Sequence, residues 1–72
     1  MMVYPNPTND MFFIKSQSAD IQQVTVTDIS GKIIAQFVRP TESTPLSIRQ
    51  AGTFFLKIQN NEGVVVRKIV KL

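Results

Sequence analysis

The chain has 72 residues, eight Lys or Arg against five Asp or Glu, a formal net charge of +3, and neither His nor Cys. Without imidazole or thiol there is no Ser-His-Asp triad, no disulfide framework, no thiolate metal site and no expected cofactor. At 43% apolar and 18% charged the composition is globular, and no apolar run reaches the ~18 residues of a membrane span.

Met1-Met2 has no basic leader and no apolar segment behind it, so it reads as an expression start or linker remnant before a domain at 3–72. In Val3-Tyr4-Pro5-Asn6-Pro7 two prolines withhold backbone donors, which suits only a sheet edge or a turn. Thr8-Asn9-Asp10 then turns into a strand at 11–16, where Phe12 and Ile14 alternate with Met11, Phe13 and Lys15. Ile21, Val24 and Val26 mark a strand around 23–28. Asp28-Ile29-Ser30-Gly31 has an acceptor side chain and a glycine at the positions a tight turn requires, which predicts a hairpin to a strand at 32–38.

Pro40 and Pro45 bracket a polar connection, after which Leu46 and Ile48 flank Ser47. Ala51-Gly52 bends into a strand at 53–59, with Phe54, Leu56 and Ile58 in one phase. Asn60-Asn61-Glu62-Gly63 predicts a second hairpin, to a strand at 64–71. There Val64, Val66, Val70 and Leu72 share a phase broken only by Lys68, and period two predicts that phase to face the core. No window carries a helical stripe. The fold class is all-β: a small antiparallel sandwich of six to seven short strands, because one-faced strands need a second sheet to cover them. Phe13 and Phe55 lie out of phase with the core and would form a patch if they shared a face.

Residues 1–48 carry a charge of −1 and residues 49–72 a charge of +4. Scattered cations are ordinarily solvated strand positions. Nucleic acid is not an expected partner, since no aromatic residues interleave with the basic ones as a stacking platform. The last strand is the better candidate. Arg67, Lys68 and Lys71 at a free sheet end would offer charge and unpaired backbone groups for strand addition by a partner.

Taken in order, Tyr4-Pro5-Asn6-Pro7-Thr8, Val24-Thr25-Val26-Thr27-Asp28-Ile29-Ser30-Gly31-Lys32, Ala51-Gly52-Thr53-Phe54-Phe55-Leu56-Lys57-Ile58 and Arg67-Lys68-Ile69-Val70-Lys71 form a recognisable series. It resembles the type A C-terminal sorting domain of the type IX secretion system of Bacteroidetes, over residues 3–72. Each motif alone is weak; four in this order are specific. The resemblance implies an Ig-like β-sandwich that directs a folded N-terminal cargo from the periplasm across the outer membrane. It implies translocon components and a cell-surface sortase as partners, with the cargo then released or joined to lipopolysaccharide. Arg67, Lys68, Ile69, Val70, Lys71 and Leu72 are the expected recognition residues.

Pro5, Asn6 and Pro7 read both as a protected edge and as an oriented junction to the cargo, and the two are compatible. Asp28, Gly31 and Lys32 read as turn chemistry, Gly52 as a backbone requirement and Phe54 as a core ring. Phe54 stands where the family commonly has Tyr, and Arg49 where it often has an apolar residue, a role expected to pass to Ile48. The alternative from another class is an Ig-like surface module binding sugar or protein, disfavoured by the absence of Trp and a single Tyr. An enzyme is not expected, with five carboxylates and no His or Cys. The N-terminal edge offers the isolated domain a route to self-association.

Overall fold

Period-two alternation resolves into seven strands in the computed structural model, which describes residues 1–16 and 20–72. They are β1 (Met2–Tyr4), β2 (Met11–Lys15), β3 (Ile21–Thr27), β4 (Ile33–Val38), β5 (Leu46–Ser47), β6 (Gly52–Asn60) and β7 (Gly63–Lys71). Both expected hairpins form, β3 with β4 and β6 with β7. One sheet has the order β1-β2-β5 and the other β4-β3-β6-β7, with every strand pair antiparallel. Such a pair of facing sheets is the all-β, Ig-like sandwich expected from the sequence.

The core is the layer between the sheets. Phe12, Ile14 and Leu46 come from one side; Val24, Val26, Phe54, Leu56, Ile58 and Ile69 come from the other, all at most 3% exposed. Each such side chain contributes roughly 1.5–3 kcal/mol by leaving water. Ile48, just past β5, is also buried while Arg49 is exposed, so the apolar role does fall to Ile48.

Asp28 sets the first hairpin. Its Oδ1 accepts from the Ser30 N–H (2.9 Å), the Ser30 hydroxyl (2.6 Å) and the Lys32 N–H (3.0 Å). Gly31 follows at a φ of +91°, where a Cβ would be strained. In the second hairpin the Asn60 Oδ1 accepts the Glu62 N–H at 2.8 Å.

The phase of β7 is the reverse of the expectation. Ile69 is fully buried, whereas Val64 and Val66 are 51% and 57% exposed. The turn decides this. Pairing Asn60 with Gly63 sets Val65 opposite Ile58, Arg67 opposite Leu56 and Ile69 opposite Phe54, so the odd-numbered residues share the core phase of β6. β7 lies at the edge of its sheet, which lets Arg67 on that phase remain exposed.

Candidate functional site

Pro5 and Pro7 have no N–H to offer a strand, but Asn6 between them carries an amide that can act as one. Its Nδ2 donates to the Lys68 carbonyl at 2.9 Å, and its Oδ1 accepts the Val70 N–H at 3.0 Å. Thr8 continues the pairing: its N–H donates to the Val70 carbonyl and its carbonyl accepts the Leu72 N–H, both at 2.9 Å. The Thr8 side chain is buried, with its hydroxyl donating to the Met11 carbonyl at 2.7 Å and accepting the Asp10 N–H at 3.3 Å. Residues 6–8 therefore cover the outer edge of β7 from Lys68 to Leu72.

That arrangement corrects the expectation of a free end. The backbone groups of β7 nearest the C-terminus are paired, not open, and strand addition over 68–72 would have to displace Asn6 and Thr8. The six candidate residues separate by orientation. Ile69 is core; Lys68 is exposed opposite Phe55, and Leu72 is exposed. Arg67 is exposed with its Nη1 donating to the Val66 carbonyl at 3.1 Å. Val70 and Lys71 are half-buried, and the Lys71 Nζ donates to the Arg49 carbonyl at 3.2 Å.

The other motif residues converge on the same end of the sandwich. Asp28, Gly52 and Phe54 border one hollow of about 330 Å³, Gly52 pairs with Lys71, and Lys71 bridges to Thr8. Gly31 and Lys32 belong to the Asp28 turn. Gly52 has a φ of +138°, and a Cβ there would lie 3.8 Å from the Phe54 ring, so backbone conformation rather than space calls for glycine. Phe54 is a core ring, as expected. Hydrogen bonds from Ser30, then from the Lys32 backbone, hold the Asp28 carboxyl below its ordinary range.

Phe13 and Phe55 do not share a patch. Phe13 stacks on Tyr4 at 5.9 Å in the three-stranded sheet, while Phe55 lies on β6 of the other. Among the described residues no group of three or more His, Cys, Asp or Glu side chains could hold a metal ion, and no helix is long and apolar enough to cross a membrane. Thr8-Asn9-Asp10 turns into β2 as expected, through the Thr8 hydroxyl, whereas the pairing of Thr8 with Val70 and Leu72 is not signalled by the sequence.

A family model described as the secretion system C-terminal sorting domain matches residues 2–72. The chain belongs to that family. No curated protein and no solved structure matches it. As a sorting domain of the type IX secretion system, it marks a protein that is exported to the cell surface or secreted. The sorting domain implies two kinds of partner, the secretion machinery and an N-terminal cargo. Its family is one of sorting signals and not a known catalytic family.

Proposed function

We propose that this sorting domain is an address read in the folded state, at the end of the sandwich where Arg67–Leu72 meet the Asn6–Thr8 segment. On this reading the translocon takes folded cargo from the periplasm across the outer membrane, and a cell-surface sortase then removes the domain. The observation that carries it is the convergence of four separated motifs on one surface, through the pairings of Thr8 with Lys71, of Lys71 with Gly52, and of Asp28 with Gly52 and Phe54 around one hollow. A linear tag would need no such assembly. A folded address does, because each segment is held by another that is distant in sequence.

The test fuses a reporter with its own periplasmic signal to residues 1–72 in a type IX-competent bacterium. Extracellular reporter is expected from the unaltered fusion. Lys68→Glu/Lys71→Glu is expected to lower it by about tenfold, the factor that ~1.4 kcal/mol of lost binding gives. Deleting 67–72 is a poorer test, since it removes the core residue Ile69 together with the charges. Normal export of the double variant would overturn the assignment of the recognition surface.

A further inference from the structure

The outer face of the four-stranded sheet carries three rows of side chains, fixed by the strand registers. One row runs Ile33, Thr27, Phe55, Lys68; the next Gln36, Thr25, Lys57, Val66; the third Val38, Gln23, Gln59, Val64. Ile33, Val38, Phe55, Val64 and Val66 are among the exposed large hydrophobic residues of the chain, and all five stand in these rows. Two lysines sit among them, and among the described residues this face carries no carboxylate. Asp10, Asp20, Asp28, Glu42 and Glu62 all lie in turns and connections outside the strands. The face also holds a shallow hollow of about 400 Å³, lined by Thr25, Thr27, Ile33, Gln36 and Lys57.

An outward sheet face is ordinarily polar. A face that keeps exposed valines and a phenylalanine around two cations, with every acid excluded, complements an apolar surface that carries carboxylates. We propose that this outer face, centred on Phe55, Lys57, Val66 and Lys68, is the docking surface for an acidic protein partner in the export machinery. The proposal rests on the sorting reading above and extends its site from the C-terminal residues across β6. The backbone edge of β7 is the weaker candidate. Asn6 and Thr8 occupy its groups from the Lys68 carbonyl to the Leu72 N–H, and the Arg67 guanidinium takes the Val66 carbonyl. An anionic membrane surface is also a poorer match, because lipid headgroup sites gather about 4–8 basic residues and this face has two.

The experiment uses the same reporter fusion with Lys57→Glu/Lys68→Glu, Lys57→Gln/Lys68→Gln and Phe55→Ser/Val66→Ser. A control, Lys15→Gln/Arg39→Gln, removes the same charge as the glutamine pair at positions away from the centre of the face, Arg39 lining a hollow with Ile14 and Glu42. Extracellular reporter is expected to fall about tenfold or more in all three face variants and to stay at the parental level in the control, tenfold being ~1.4 kcal/mol of binding. The glutamine pair keeps the strands uncharged and hydrogen-bond-competent, so its effect does not depend on the folding of the glutamate variant. Parental export of the glutamine and serine variants would overturn the proposal. Loss of export in Val66→Pro, which deletes an edge N–H, while the glutamine and serine variants export at the parental level would assign the reading to the backbone of β7. Charge-dependent binding of the purified chain to phosphatidylglycerol vesicles, lost in Lys57→Gln/Lys68→Gln, would overturn it in favour of a membrane. Retention of the unaltered fusion in the periplasm would instead remove the sorting reading itself.

Discussion

Asn6 and Val70 stand 64 residues apart, and the Val70 N–H donates to the Asn6 Oδ1 at 3.0 Å. With the second bond, from Asn6 Nδ2 to the Lys68 carbonyl, one side chain caps the Lys68–Val70 stretch of the strand edge, and the Thr8 backbone continues the cover to Leu72. The cargo-side segment and the C-terminal strand are thereby one structural unit.

Asn6→Ala removes both bonds at a site water can reach, so the expected loss is about 1 kcal/mol. For a domain of this size that lowers the melting temperature by about 4–8 °C. Hydrogen exchange at the Val70 amide should accelerate more than exchange in β3. Unchanged exchange at Val70 would show that the amide bridge protects nothing.

Ile69→Ala should cost about 2–5 kcal/mol, as a fully buried aliphatic side chain does when truncated. Val66→Ala, on the opposite face of the same strand, should cost less than ~1 kcal/mol. Urea denaturation of the two variants decides the phase of β7. The reverse ranking would restore the alternation pattern read from the sequence.

Thr8→Val keeps the shape of a buried side chain and loses its hydroxyl. The Met11 carbonyl and the Asp10 N–H then lack their partner, at a cost of about 1–3 kcal/mol. Thr8→Ser, which retains the hydroxyl, should recover most of that stability. If the two variants melt together, the hydroxyl is not what holds this corner.

The Asp28 carboxyl is held below its ordinary value of 3.8 by hydrogen bonds from Ser30 and Lys32. A depressed folded-state value means that the ionised form stabilises the fold above 3.8, and that this contribution is lost as pH falls through the folded-state value. Asp28→Ala should therefore melt below the parent at neutral pH, with the gap narrowing below pH 3.8. A gap independent of pH would assign the effect to turn geometry alone.

Much of the fold is legible in the sequence because it is local. The Asp28–Gly31 and Asn60–Gly63 hairpins follow from short-range hydrogen bonds and glycine conformation, and the alternation in β2, β3 and β6 follows from one-sided burial. The alternation in β7 points to the wrong face for a physical reason. Its outward residues are as apolar as core residues, and period two alone does not say which phase faces in. The edge cap was not readable either, since nothing near Asn6 in sequence names residues 68–72 as its partner.

Residue order alone determined an all-β body, its hairpins, and the family motifs that identify a sorting domain. Only the tertiary structure decided which face of β7 is buried, which edge is closed, and which distant motifs share a surface. The difference lies in range: turns and alternation are set within a few residues. Sheet order and edge capping depend on contacts between segments up to 64 positions apart, whose pairing is selected by the packing of the whole sandwich.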